Sequence, residues 1–187
     1  MALPFTAAWR TERDRRRRAA AVVSALRAEP DGDDVVWLSD AASNGDQDHA
    51  RWELRYARAA LGLLVSQRDA LDDRTAAEIA AAISEAFEHD GRIADDRREL
   101  AARQFNERLL AYREALQLRG GPVTPADAAG RCLLAFASDG ARTAGTPLAY
   151  AIELMARYSD EAGELLRRIY GEARLPEDVP PSVLRST

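Results

Sequence analysis

The sequence contains no lysine: all 26 of its basic side chains are arginine, set against 31 acids in 187 residues. Arginine is permanently charged and planar, so its fork suits bidentate pairing with carboxylate or phosphate better than the point charge of lysine does. A coding sequence rich in G and C gives the same arginine and alanine bias, and that compositional origin is the simpler account. Cysteine is nearly absent too. The single Cys132 excludes an intramolecular disulfide and has no Cys or His neighbour at metal-ligand spacing, so nothing demands an oxidising compartment. Aromatics make up 6% of the chain and hydrophobic residues 47%. The interior must therefore be assembled from Ala, Leu, Val and Ile, which suits close helix packing.

No apolar run reaches the roughly 20 residues of a bilayer span. The opening MALPFTAAWRTERDRRRR places its charges after the apolar residues, the reverse of a secretory signal. These features lead us to expect a cytoplasmic protein with no membrane partner. A formal charge of −5 and a pI near 5.2 argue against a surface that is one large nucleic-acid footprint. A phosphate-cradling glycine loop, a nucleophile elbow and a Cys/His nucleophile arrangement are all missing from the sequence. The pairs Asp72–Asp73 and Asp95–Asp96 precede expected helices, where capping accounts for them. Nothing here argues for catalysis, and no cofactor is expected.

What is present is helical periodicity with caps. The length fits one domain, and the spacing predicts an all-α bundle of six or seven helices. Residues 1–28 read as an arginine-rich N-terminal helix, 29–45 as an acidic connection, 46–172 as the bundle core and 173–187 as an extended, proline-containing tail. The run Val35, Val36, Trp37, Leu38 inside the connection reads as a tucked-in loop. A helix over about 46–69 carries Ala50, Leu54, Ala57, Leu61 and Leu64 on one face, a stripe that implies deep burial. Thr75 and Glu78 have the spacing of a capping box, and Gly91 sits where a left-handed cap is wanted. A long helix follows over about 95–119, with Ala101, Phe105, Leu109, Tyr112 and Leu116 in line. Thr124, Pro125 and Asp127 start the next helix, in which Ala129, Cys132, Leu133 and Phe136 are candidate core. Thr146–Pro147 starts another, through Arg157, and Ser159, Asp160 and Glu161 open a last one that ends by Gly171.

Charge is uneven along the chain. Residues 1–28 hold seven arginines against Glu12 and Asp14, whereas residues 29–48 hold seven acids and no base. The two segments can complement each other. Arg13, Arg15, Arg16, Arg17 and Arg18 also resemble an arm for phosphate, because guanidinium groups on consecutive turns can follow a nucleic-acid backbone. Trp9, with Pro4 and Phe5, adds an apolar element that can dock on a partner. Arg51, Arg55 and Arg58 form a second stripe, for which Glu78, Glu85 and Glu88 are the expected acids. A stripe of this kind fixes helix register or anchors a dimer interface.

The chain has two histidines, each one turn from a carboxylate: His49 with Glu53, and Glu85 with His89. Two such pairs on facing helices would offer two imidazoles and two carboxylates to a divalent metal. Their spacing differs from the Glu-x-x-His pattern of carboxylate-bridged bundles, so surface pairs are the simpler reading and no metal site is assigned. The segment from Asp40 to Arg51 fails as a calcium loop, since Ala42 and Arg51 stand where oxygen ligands are required. Asp31, Asp33 and Asp34 form an acidic cluster with no defined ligand spacing. The expectation is a non-enzymatic interaction or assembly subunit that self-associates or binds a protein partner. A nucleic-acid-binding helical protein and a metal-dependent bundle enzyme are the alternatives.

Overall fold

A computed structural model describes residues 6–69, 73–119, 122–138 and 146–171. Among these residues the protein is all-α, with seven α-helices, one 3₁₀ turn and no strand. The expected tail over 173–187 lies outside them.

Helix α1 (Ala7–Leu26) is capped by Thr6, whose hydroxyl accepts the Trp9 N–H. Ala19, Val22, Val23 and Leu26 on its C-terminal half are buried. The first correction follows directly, because the acidic connection contains a helix, α2 (Gly32–Ala42). Asp31 caps it by accepting the Asp33 N–H, and Asp33 and Asp34 place negative charge at the positive end of the helix dipole. Val35, Leu38 and Ala42 then recur at helical spacing and are buried. The same acids that read as a solvated loop are therefore an N-terminal signal.

Helix α3 (Gln47–Asp69) starts on Asp46, whose carboxylate accepts the N–H groups of Asp48 and His49. Ala50, Leu54, Ala57 and Leu61 are wholly buried, and α3 packs against each of the other six helices, which makes it the centre of the bundle. Helix α4 (Asp73–Glu88) begins two residues before Thr75, so Thr75 is buried inside its first turn and Glu78 is engaged by Arg15 instead. Gly91 is no left-handed cap. Positive φ among the described residues falls at Asn44, Gly45 and Gly171, and α4 closes through the His89 N–H to Glu85 O and the Asp90 N–H to Phe87 O.

A 3₁₀ turn (Asp95–Arg97) leads into α5 (Arg98–Gln117). Its buried face holds Ala101, Phe105, Tyr112 and Ala115, with Arg108 among them, while Leu116 is exposed. Helix α6 (Pro125–Ala137) has the full capping box, Thr124 accepting the Asp127 N–H and Asp127 accepting the Thr124 N–H. The two last helices of the sequence reading are one, α7 (Thr146–Tyr170). Ser159 does not restart the chain, because its hydroxyl donates back to Met155 O within the helix and satisfies itself there. Helices α6 and α7 cross closely at Gly130, where an added Cβ would lie 3.0 Å from the Ile152 nitrogen.

Candidate functional site

The arginine arm on α1 is largely engaged by its own chain. Arg15 reaches both Glu12 and Glu78, Arg16 reaches Glu12, Arg17 reaches Asp14, and Arg13 lies over the Trp9 ring. Arg18 is exposed and makes no ion pair among the described residues. The acids of residues 29–48 are not its partners, contrary to the expected complement. Asp31 and Asp46 cap helices, Glu29 is taken by Arg55 and Arg92, and Asp34 by Tyr150 and Arg157. Helix geometry decides this outcome, because α1 packs on α4 rather than on α2.

The stripe on α3 is likewise committed, to acids other than those expected. Arg51 pairs with Asp48, Arg55 with both oxygens of Glu29 at 2.7 Å, and Arg58 with Glu161 of α7. Glu85 and Glu88 are exposed on α4, on faces that the stripe does not meet. Arg92 bridges Glu29 and the buried Asp90, which Arg27 also holds at 2.6 Å. Burial pushes the Asp90 carboxyl up, but hydrogen bonds from the Arg92 side chain and backbone and from Arg27 outweigh it and leave the group well below the usual carboxylate range. Arg27, Glu29, Arg55, Asp90 and Arg92 thus form one network joining the ends of α1 and α4 to α3.

Sequence reasoning missed the deepest charged pair. Arg108 donates to Glu53 Oε1 at 2.7 Å and Oε2 at 3.1 Å, with the two residues 7% and 2% exposed. The guanidinium also sits over the rings of Phe136 and Tyr56 at 4.4 and 5.6 Å, and these contacts repay part of its desolvation. The only available signal was a charge on the apolar stripe of α5, one turn from Phe105 and Tyr112. Burial would lower the Arg108 pKa, but the hydrogen bond to Glu53 raises it above the ordinary value. Tyr56 is pushed up to about 12 by burial, helped by the Glu53 charge.

Beside this pair a cleft of about 500 Å³ opens between the N-terminal half of α3 and the segment from Arg92 to Gln104. Its walls carry Trp52 and Tyr56, whose hydroxyl meets Gln104 Oε1 at 3.3 Å. Arg55 covers one face of Trp52 at 4.7 Å. His49 and Glu53 both line the cleft, but they are not paired with each other. His49 Nε2 donates to Phe136 O at 3.2 Å, and Glu53 is taken by Arg108. His89 Nδ1 faces the backbone oxygen of Glu85 rather than its carboxylate. Among the described residues, no group of three His, Cys, Asp or Glu side chains is placed to hold a metal ion.

The outward face of α5 is the other distinctive surface. Exposed large hydrophobics among the described residues are Val36, Leu100, Leu110, Leu116, Leu118 and Val123, so all but one lie on α5 or its exit. With about 100° per residue, Leu110 stands opposite the buried row of Ala101, Phe105, Arg108 and Tyr112, with Glu107 and Arg113 three residues to either side. Arg113 makes no ion pair among the described residues, and Glu107 makes one contact, with Arg108 at 3.3 Å.

Comparison with known proteins finds no matching family model, curated protein or solved structure. No helix among the described residues is long and apolar enough to cross a membrane.

Proposed function

We propose that this chain is a non-enzymatic helical assembly subunit that pairs with a second copy of itself through the outward face of α5. Leu110, at 55% the most exposed large hydrophobic among the described residues, carries the reading, as the apolar centre of an otherwise polar face, with Leu100 and Leu116 on the two flanks of the helix. Charge gives the occupant. In an antiparallel pair of α5 helices with a two-fold axis at Leu110, Glu107 of each copy stands opposite Arg113 of the other. A self-complementary patch of this kind is what an isologous dimer requires. The arginines of α1 support a nucleic-acid reading less well, since Glu12, Asp14 and Glu78 already occupy three of the five. One helix pair covers less than the roughly 1,200 Å² of a standard interface, so the dimer is weak and reversible, with Kd of about 10–500 μM.

Sedimentation equilibrium over that concentration range tests the proposal. The wild-type chain shifts from monomer to dimer. Glu107→Arg and Arg113→Glu each abolish the shift by setting like charges opposite, and the double swap restores it. A wild-type chain that stays monomeric throughout, or a double swap no better than the singles, refutes it. Circular dichroism of each variant separates lost pairing from lost folding.

A further inference from the structure

The cleft between α3 and α5 holds an unusual balance of charge. Its acids are already committed: Glu53 to Arg108, Asp48 to Arg51, and Asp46 to the backbone N–H groups of Asp48 and His49. Arg92 is spent on Asp90 and Glu29. Arg97, exposed at the rim, is the one charged group lining the cleft that has no partner among the described residues. Asp46 is the other lining charge without a counter-ion, but its Oδ1 already accepts two N–H groups, so Arg97 is the lining cation free to take an anion.

The walls add shape and a second donor. Trp52 is half-buried, packed on one side by Arg55 and stacked toward Tyr56 at 5.7 Å. Tyr56 is itself part of an aromatic row through Phe87 to Phe105, with ring centroids 5.9 and 4.7 Å apart, which holds the wall rigid. Gln104 Oε1 accepts from the Tyr56 hydroxyl, and the Gln104 amide nitrogen, without a hydrogen-bond partner among the described residues, remains a donor. Ile93 and Leu100 supply apolar surface. At about 500 Å³ the cleft lies within the size range of small-molecule sites. The indole of Trp52, apolar flanks, an amide donor and one free guanidinium are complementary to a flat ring that bears an anion.

From this geometry we infer that the α3–α5 cleft is a binding site for planar aromatic carboxylates, with the ring against the half-buried Trp52, which Tyr56 backs from within, and the carboxylate on Arg97 and Gln104. The site is separate from the outward face of α5 and does not depend on self-association.

The probe is 2-naphthoate, titrated to about 10 mM against the ¹⁵N-labelled full chain, with the Trp52 indole N–H signal assigned by Trp52→Phe. Binding is expected in the millimolar range or tighter, with a saturable shift of the Trp52 signal while those of Trp9 and Trp37 stay in place. The neutral isostere 2-naphthamide binds about tenfold more weakly, as does 2-naphthoate to Arg97→Gln, whereas Arg97→Lys keeps most of the affinity. Arg97 is exposed, so these variants retain the wild-type spectrum elsewhere and their folding is checked in the same experiment. No saturable shift at Trp52, equal binding of acid and amide, or full affinity in Arg97→Gln would each overturn the inference.

Discussion

Arg108→Met is the perturbation for which the structure makes the sharpest demand. It removes both donors to Glu53, at 2.7 and 3.1 Å, and leaves a side chain of similar length against Tyr56 and Phe136. Glu53 is 2% exposed, and Arg108 is its one side-chain partner among the described residues. The variant therefore buries an uncompensated carboxylate, at a cost of about 3–5 kcal/mol. For a chain of this size, this lowers Tm by about 6–20 °C. The converse change, Glu53→Leu, is milder, at about 1–3 kcal/mol, because Arg108 keeps Gln104 O, Glu107 and two ring faces. Combining the two removes both charges, and the double variant ends within about 2 kcal/mol of wild type. Urea unfolding at neutral pH, followed by both circular dichroism and tryptophan fluorescence, gives the four stabilities and checks two-state behaviour. An Arg108→Met cost below about 1 kcal/mol, or a double variant equal to the sum of the singles, would refute the reasoning that this pair is an obligate buried unit.

Two further predictions concern the joints of the bundle. Asp90, 4% exposed, has its folded pKa depressed below its unfolded value of about 3.9. Its contribution is thus fully present above about pH 4 and is lost as the pH falls below that. Asp90→Asn should cost about 1.5–3 kcal/mol at neutral pH and flatten stability against pH between about 4 and 2; an acid limb as steep as that of wild type would show that Asp90 is not responsible. At the α6–α7 crossing, Gly130→Ala puts a Cβ 3.0 Å from the Ile152 nitrogen, so the helices must spread, at about 1–3 kcal/mol. Gly32→Ala meets nothing within 4 Å and serves as the control, expected within about 0.5 kcal/mol of wild type by thermal melting.

Much of the fold could be read in the chain because its signals are local. Thr124, Pro125 and Asp127 fix the start of α6 within four residues, and Ala50, Leu54, Ala57 and Leu61 mark the buried face of α3 by spacing alone. The misreadings have the same origin. Asp31, Asp33 and Asp34 look alike as a solvated loop and as the cap and first turn of α2, and only the burial of Val35 and Leu38 separates the two. Ser159 looks like a helix start until its hydroxyl finds Met155 O within a continuous α7. The candidate site was far less legible. Their one-turn spacing suggests that His49 and Glu53 pair with each other, and both line the cleft, but their partners are Phe136 O and Arg108.

The sequence by itself therefore determined the helical class, the position of most helix ends and which faces turn inward, since capping and a 3.6-residue period act over a few neighbouring residues. Tertiary structure alone decided which carboxylate each arginine meets. Charge carries no periodic signature of its partner, and the pairs that matter most lie 55 residues apart for Glu53 and Arg108 and 123 apart for Asp34 and Arg157, distances that only the packing of α2, α3, α5 and α7 closes.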